Sequence, residues 1–495
     1  MTAAMQESIT TTETLRRLAI HGAAASALVT IASWGIGWFP RNQFSPLART
    51  GFFIEFRTEA IGVIACIALM AAGLAWMTRC WLLLRPLVAP TERVNTRQIA
   101  RLLTAWCAPL LLAFPILSRD VYAYLAQGRL LHAGRSPYAE GVSTIPGWFD
   151  AGADGLWAQS LSPYGPIFVS LSRFIHFISG GIPEIGVLLL RVAAIAGLIG
   201  CFHYLKVLCA KLGYNAGWTL WAVLCSPLFL LTMVGGAHND GLMLAAIFAA
   251  FARAADGRWV RASFALSVAV AIKPIALILL PFVGLLMLAA DARRTERLVM
   301  WVKLGVVTLL WLLMYGAVSG LWFGWLPAMF TAGSAAFPYA PVGLLGWLGA
   351  LATNALGGNG DLVQTVVVLV FELCGLLLVF KLAIAERVAR PLRAAAWALS
   401  AVVLLAPIIQ PWYILWLFAL FALDRDVSWR AERLMVQISS LILLAVFVDQ
   451  LSIEQWHVIW LMRVFAALLG LLLFLHLLYR DRAIAGWFNA PHPPD

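Results

Sequence analysis

Charged residues are scarce in this sequence. Asp, Glu, Lys and Arg together make up 12% of its 495 residues, whereas a soluble globular domain carries about 25%. Hydrophobic residues make up 62%, and the mean hydropathy is +0.87. The apolar runs last about twenty residues without the alternation of a membrane barrel strand, so helices must satisfy the backbone in lipid. The composition predicts an all-α, polytopic membrane protein.

Motifs for metals, disulfides and nucleotides are also missing. The seven cysteines form no CxxC pair and have no histidine beside them at ligand spacing, so we expect packing residues and neither a metal site nor disulfides. The sequence has no glycine-rich phosphate loop and no HExxH motif, which argues against a cytoplasmic nucleotide-sugar enzyme. We expect no cofactor, and the sequence leaves open whether a divalent ion assists.

The net charge of +11 is distributed in a way that argues against nucleic acid as a partner. Arginines concentrate in short loops between apolar runs, which is typical of the cytoplasmic loops of membrane proteins. The most basic loop, which we expect in the cytoplasm, contains Arg79, Arg85, Arg93, Arg97 and Arg101. Arg16 and Arg17 precede an apolar run without a small-residue cleavage site, so that run is predicted to be a permanent first helix.

The same charge rule, followed along the chain, predicts about 13 to 14 transmembrane helices in a multi-pass protein of the plasma (inner) membrane, with both termini cytoplasmic. The predicted organisation is a cytoplasmic tail at 1–17, N-terminal transmembrane helices at 18–117, an external loop with interfacial helices at 118–183, a transmembrane core at 184–318, a second external loop at 319–360, C-terminal transmembrane helices at 361–480 and a cytoplasmic tail at 481–495. The apolar segment 166–179 is expected to lie in the membrane interface.

Four polar clusters fall at the predicted outer ends of helices. They are Asp120 with its loop, His238-Asn239-Asp240, Lys273 and Gln410-Pro411-Trp412-Tyr413. Polar groups at membrane depth are costly and usually mark function. Each cluster also has a structural explanation: helix capping for the first, a polar turn for the second, a lysine reaching to headgroups for the third and an interfacial aromatic belt for the fourth. Four clusters on one face favour a functional site.

An acid near a cation at the membrane surface suits transfer from a lipid-linked phosphate donor. The leaving group is then already a good one, so the reaction needs a general base for the incoming hydroxyl and a cation for the phosphate. A hydrolase with two carboxylates is an alternative, in which Asp240 is the second acid. A transporter or lipid flippase is another, because Lys273-Pro274 and Gln410-Pro411 break helices, although no internal repeat supports it. Glu372, inside a predicted span, is expected to hydrogen-bond a neighbouring helix.

Several motifs between about residues 100 and 425 carry a family resemblance. They are Ser118-Arg119-Asp120-Val121-Tyr122-Ala123-Tyr124, Ser136-Pro137-Tyr138, Ser162-Pro163-Tyr164-Gly165-Pro166, Gly236-Ala237-His238-Asn239-Asp240, Lys273-Pro274 and Gln410-Pro411-Trp412-Tyr413. In this order they resemble the polyprenol-phosphomannose-dependent alpha-1,6-mannosyltransferases of the MptB kind, which belong to the GT-C superfamily of membrane glycosyltransferases. The chain departs from that family at Ser136, where many members have an acid before Pro-Tyr.

The resemblance implies an inverting transfer of mannose, or a related sugar, from a polyprenyl-phosphate-linked donor to a glycan or lipoglycan acceptor on the extracytoplasmic face. Asp120 would be the base that takes the proton of the acceptor hydroxyl. The donor phosphate would be bound by Lys273, His238 and Arg129. Sugar or acceptor contacts would come from Asp240, Asn239, Tyr122, Tyr124, Gln127, Tyr164, Gln410, Trp412 and Tyr413.

Overall fold

The computed structural model describes residues 3–88, 94–332, 340–385, 389–424, 427–453 and 456–484. Within these ranges the chain is helical and contains no β-strand, which confirms the all-α fold. Three predicted regions fall partly outside the described residues: Arg93 of the predicted basic loop, residues 333–339 of the predicted second external loop and residues 485–495 of the predicted C-terminal tail.

Twenty α-helices follow one another in the described ranges. They are α1 (Ala3–Ile36), α2 (Gly51–Thr58), α3 (Ala60–Val88), α4 (Thr96–Leu110), α5 (Asp120–His132), α6 (Pro166–Ser179), α7 (Pro183–Leu212), α8 (Ala216–Val223), α9 (Pro227–Phe229), α10 (Asp240–Ala255), α11 (Trp259–Ile272), α12 (Leu280–Leu285), α13 (Arg294–Ser319), α14 (Trp325–Ala332), α15 (Pro341–Ala355), α16 (Gly360–Ile384), α17 (Pro391–Leu404), α18 (Ile414–Phe421), α19 (Trp429–Asp449) and α20 (Ile459–Tyr479).

Seven of these helices, in the part of the chain that is described, are long and apolar enough to cross a membrane: α1, α3, α7, α13, α16, α19 and α20. An eighth span arises if α8 and the segment Pro227–Gly235, bent by 53°, count as one. Among the described residues, the count of full-length spans is therefore lower than the predicted 13 to 14. Several of the expected spans are shorter helices, such as α11 and α17. A helix of 14 residues rises about 21 Å, less than the roughly 30 Å of the hydrocarbon core.

The boundaries of two N-terminal helices differ from the prediction. Arg79 and Arg85 lie inside α3 and not in a loop. This extension is stabilised by ion pairs with distant acids, because Nε of Arg85 donates to Glu432 at 2.7 Å and Nε of Arg79 donates to Asp481 at 2.5 Å. Helix α4 ends at Leu110, seven residues before the predicted end of that span. The irregular segment that follows leads directly to α5.

Helix breaks occur where the sequence predicts them. Lys273 ends α11, and a 3-10 helix begins at Pro274 because proline cannot continue the α-helical hydrogen bonding. A second 3-10 helix, Pro411–Tyr413, separates α17 from α18. The segment predicted to lie in the interface forms α6, which begins after Gly165 and ends at Gly180 in the left-handed conformation.

Close packing of α7 against α10 fixes the start of α10. Gly197 of α7 faces Gly241 of α10, and a Cβ atom on Gly197 would lie 2.8 Å from the carbonyl carbon of Gly241. Small residues permit this approach of two backbones in a membrane protein. The packing places Asp240, the first residue of α10, in the interior of the molecule.

Candidate active site

Four ionisable side chains from three separate segments meet in one cluster, which we call the polar cluster: Asp120, His238, Asp240 and Lys273. Nδ1 of His238 lies 3.8 Å from Oδ2 of Asp120 and 3.8 Å from Oδ2 of Asp240. Nζ of Lys273 donates a hydrogen bond to Oδ1 of Asp240 at 2.7 Å. The structure thus brings together three of the four segments that the sequence placed at the outer ends of helices.

Asp120 is the first residue of α5 and the most accessible carboxylate of the polar cluster. Its backbone N–H donates to the hydroxyl of Ser118, and its side chain remains 20% exposed. Desolvation by burial raises the pKa of Asp120 to about 7, while Lys273 opposes that rise and Asp240 adds to it. A carboxylate with a pKa near neutrality is suited to accept a proton from an alcohol.

The segment His238-Asn239-Asp240 contains buried polar atoms without partners. Within the part of the chain that the structure describes, these are Nε2 of His238, both amide atoms of Asn239 and Oδ2 of Asp240. Ala237, which precedes them, adopts a φ of 56°, a strained conformation for a residue with a side chain. Buried polar groups are normally hydrogen-bonded, so orphaned atoms call for a partner that the protein itself does not supply.

Burial of His238 favours the neutral form of its imidazole. Desolvation by burial lowers the pKa of its imidazole to about 4, although Asp240 opposes the shift. The hydroxyl of Tyr124 lies 3.3 Å from Nδ1 of His238, and if that hydroxyl donates, the ring proton resides on Nε2. The ring of Trp412 packs against His238 with centroids 4.0 Å apart. The Gln410-Pro411-Trp412-Tyr413 segment therefore lies beside the polar cluster.

Lys273 is held between a carboxylate and aromatic rings. Its ammonium lies 4.8 Å from the ring centroid of Tyr413, 4.7 Å from that of Trp416 and 5.9 Å from that of Tyr164. Cation–π contacts of this kind stabilise a desolvated ammonium. Because a lysine has three N–H donors and Asp240 takes one, donors remain for a ligand.

The turn Ser162-Pro163-Tyr164-Gly165-Pro166 is a wall of the polar cluster. The N–H of Gly165 donates to the carbonyl of Ile272, and a Cβ atom on Gly165 would lie 2.4 Å from the backbone of Ala271. The hydroxyl of Ser162 donates to Oε1 of Gln127 at 2.9 Å. Gln127 therefore ties α5 to this turn, and Tyr164 packs edge-on against Tyr124.

An apolar cavity adjoins Lys273. A pocket of about 180 Å³ is lined by Lys273 and Tyr413, and a larger one of about 840 Å³ lies between the 3-10 helix at Pro274, α14, α16 and α17. The two pockets share Pro274, Ile275, Met329, Val402 and Ala406 as lining residues. Glu372 lines the larger pocket and makes no hydrogen bond to any described residue, so the expected helix–helix bond is not found there.

Arg129 and Tyr122 lie on another face of α5. Tyr122 and Arg129 are seven residues apart and line a separate cavity of about 230 Å³ together with His176. Asp120, Tyr124 and Gln127 share the stripe that faces the polar cluster, as helical periodicity requires. The hydroxyl of Tyr122 donates to the carbonyl of Trp38. Gln410, which lies elsewhere in the chain, is the N-cap of the 3-10 helix Pro411–Tyr413 and is partly exposed. The structure thus does not bring Arg129 to Lys273 and His238, the residues with which it was predicted to bind the donor phosphate.

Two residues that contact the site or the segments leading to it, Arg191 and Trp416, were not among the predicted site residues. Arg191, in the middle of α7, is buried and donates to the carbonyls of Leu111 and Gly235, at 3.1 and 2.8 Å. It thereby joins the segments that precede Asp120 and His238. A lone arginine within an apolar run is itself a signal. Trp416, which contacts Lys273, lies in an apolar run where an aromatic residue does not stand out from its neighbours.

Comparison with known proteins gives the family. The model of the alpha-(1->6)-mannopyranosyltransferase N-terminal domain matches residues 19–290, which include the whole polar cluster, and the MptB C-terminal domain matches residues 340–476. The chain belongs to the alpha-(1->6)-mannopyranosyltransferase family. As a member of this family it is a multi-pass membrane glycosyltransferase that transfers mannose. Family membership favours this reading over the transporter alternative.

Individual relatives agree with the family model. Alpha-(1->6)-mannopyranosyltransferase A of Mycobacterium tuberculosis is 31% identical over 421 residues, which cover 81% of this chain and 79% of the relative. A probable alpha-(1->6)-mannopyranosyltransferase of Mycolicibacterium smegmatis is 26% identical over 522 residues, or 97% and 91% of the two chains. Alpha-(1->6)-mannopyranosyltransferase B of Corynebacterium glutamicum is 27% identical over 248 residues, or 47% and 40%.

Proposed function

We propose that this mannosyltransferase takes mannose from a polyprenyl-phosphate-linked donor and transfers it, with inversion, to a glycan or lipoglycan acceptor on the extracytoplasmic face. The observation that carries the proposal is the placement of Lys273. Its ammonium is paired with Asp240 in the polar cluster, and Lys273 also lines a pocket that shares residues with the large apolar cavity. A lipid phosphate ester has this same juxtaposition of an anion and a hydrocarbon chain.

The donor phosphate fits the groups around Lys273. The remaining N–H donors of Lys273 would bind the phosphate oxygens, together with Nε2 of His238 in the tautomer that carries its proton there, and the side-chain amide of Asn239 would be a further donor. The polyprenyl chain would lie along Ile275 and Val402 in the apolar cavity. Asp240 would keep Lys273 oriented, since its carboxylate is wholly buried beneath the ammonium.

Asp120 would act as the general base. The oxygen of the acceptor hydroxyl attacks C1 of mannose while its proton passes to the Asp120 carboxylate, and the bond between C1 and the phosphate oxygen breaks. The polyprenyl phosphate leaves with the bonding electrons and is stabilised by Lys273. Attack opposite to the leaving group inverts the anomeric carbon. Tyr124, Tyr164 and Trp412 would contact the sugar ring.

The charge distribution supports an extracytoplasmic site. Asp240 begins α10 and Lys273 follows the end of the antiparallel helix α11, so the two residues lie on one side. Arg253, Arg258 and Arg261 lie at the other ends of these two helices. Basic residues favour the cytoplasmic side, so the polar cluster would face outward. A membrane-impermeant thiol reagent tests this orientation: Asp150→Cys should be labelled in intact cells, and Arg258→Cys only after the membrane is opened. The reverse pattern would place the site in the cytoplasm.

Transfer in proteoliposomes tests the donor and the base. The purified protein should transfer radiolabelled mannose from polyprenyl-phosphomannose and should not use GDP-mannose. Asp120→Asn should reduce the rate by about 10² to 10⁴, the usual contribution of a general base, with an unchanged melting temperature. Asp150→Asn, in the same external loop, is the matched control and should retain full activity. Turnover with GDP-mannose alone, or normal turnover by Asp120→Asn, would overturn the proposal.

A further inference from the structure

A groove separate from the polar cluster lies between α6 and the C-terminal end of α13. It has a volume of about 670 Å³ and is lined on its apolar side by Phe174, Phe177, Met314 and Val318. Arg173 and His132 line its polar side. The groove therefore combines hydrocarbon surface with positive charge.

The positive charge of Arg173 is not compensated by any residue that the structure describes. Among the described residues Arg173 makes no hydrogen bond or ion pair, and none of the residues that line the groove is acidic. Arg135 shows the contrast, because it also lies in the external loop and is ion-paired with Glu140. A helix dipole favours basic residues in the last turn of a helix, where His132 lies in α5. It does not explain Arg173, which lies six residues before the end of α6.

The groove lies at the level where a span ends. Helix α13 is long and apolar enough to cross a membrane, and only 17% of its apolar window is buried by other helices. Its last residue is Ser319, and Val318 beside it is 85% exposed. Phe174 and Phe177 of α6 are also largely exposed. Exposed apolar side chains at the end of a span, beside an arginine, are suited to the boundary between lipid tails and headgroups.

We propose that this groove binds one anionic phospholipid of the surrounding leaflet. Arg173 would donate to the headgroup phosphate, with His132 beside it, and an acyl chain would lie against Phe174, Phe177 and Met314. A net negative headgroup is favoured over a zwitterionic one because the groove offers no carboxylate to a choline or ethanolamine cation. Since α6 starts directly after the turn that packs against Lys273, the bound lipid would steady one wall of the polar cluster.

Lipid retention in nanodiscs tests this proposal without relying on the transfer reaction. The full-length protein is reconstituted in equimolar phosphatidylcholine and phosphatidylglycerol, re-extracted, and its bound lipids are counted by native mass spectrometry. The wild type should retain phosphatidylglycerol in preference to phosphatidylcholine. Arg173→Gln should bind it about tenfold more weakly, the factor expected for one lost charge-assisted hydrogen bond, and Arg173→Lys should recover part of the affinity.

Arg135→Gln is the matched control, because it removes an arginine whose charge is already neutralised. It should retain as much phosphatidylglycerol as the wild type. Equal retention by the wild type and Arg173→Gln, or equal loss in Arg135→Gln, would overturn the proposal. Displacement of the lipid by an equal concentration of inorganic phosphate would also overturn it, because the groove would then bind a soluble anion and not a lipid.

Discussion

Asp240 and Lys273 form an ion pair in which the ammonium donates to the carboxylate at 2.7 Å, with 0% of the aspartate side chain and 11% of the lysine side chain exposed. Burial of two charges is tolerated only when each compensates the other. The pair thus links the start of α10 to the break after α11. It also makes the orientation of the ammonium depend on a residue 33 positions earlier in the chain.

Removal of one member of this pair should destabilise the protein strongly. We expect Asp240→Ala to reduce the free energy of unfolding by about 3 to 5 kcal/mol, because it leaves a buried ammonium uncompensated. The double variant Asp240→Ala/Lys273→Met should recover most of this loss and still be inactive. Unfolding in detergent and mannosyl transfer are measured for both. Recovery of activity in the double variant would show that Lys273 serves only the fold.

The pH dependence of transfer should follow Asp120. Since burial raises the pKa of this carboxylic acid to about 7, the base is protonated and inactive below that pH and becomes competent above it. kcat/KM should therefore rise as the pH increases through about 7. The pKa of His238 is lowered to about 4, so its titration contributes nothing in this range. A profile that is flat between about pH 5 and pH 8, measured where chemistry limits the rate, would contradict this assignment of the base.

Glycine at 165 should be required for activity. In Gly165→Ala the new methyl group would lie 2.4 Å from the backbone of Ala271, so the turn must move away from Lys273. A displacement of about 1 Å near reacting groups costs about 10²-fold in rate. Gly305→Ala in α13 is the control, since a Cβ atom there meets nothing within 4 Å and alanine favours a helix. Equal activity of the two variants would show that the turn is not a wall of the site.

The apolar cavity should discriminate donors by chain length. Ala406 lines both the pocket at Lys273 and the larger apolar pocket, so Ala406→Phe should obstruct the passage between them. Exclusion of about two CH₂ groups corresponds to a roughly tenfold higher KM for a long-chain donor. A donor with a short prenyl chain should be affected much less. Leu373→Phe, on an exposed face of α16, is the control. The same KM increase for both donors would contradict a role in chain binding.

Much of the candidate site was predictable because proline and charge act locally. Proline at 274 ends the helix whatever the tertiary contacts are, and ionisable groups such as Asp120 and Lys273, which are costly in a membrane, mark helix ends in the sequence. The pairing of Lys273 with Asp240 was not predictable, because it depends on how α10 packs against α11. The separation of Arg129 from Lys273 is visible in helical periodicity, which places Arg129 on the stripe of Tyr122 and not on that of Asp120.

The helix lengths were harder to predict for a different reason. An apolar run shows that a segment avoids water, but it does not show whether the segment touches lipid or other helices. Helix α10 and most of α11 are buried among their neighbours, so they need not match the thickness of a bilayer. The extension of α3 through Arg79 and Arg85 depends on acids that lie hundreds of residues later in the chain. Loop charges alone carry no information on such contacts.

The contacts of Arg191 have a consequence for motion. Because the guanidinium of Arg191 donates to the carbonyls of Leu111 and Gly235, the segments that lead to Asp120 and to Asp240 are both bound to α7. A tilt of α7 would therefore displace both carbonyls together, and with them the segments that lead to the two acids. This shared attachment favours a constant spacing between Asp120 and Asp240 when the loops around them change shape.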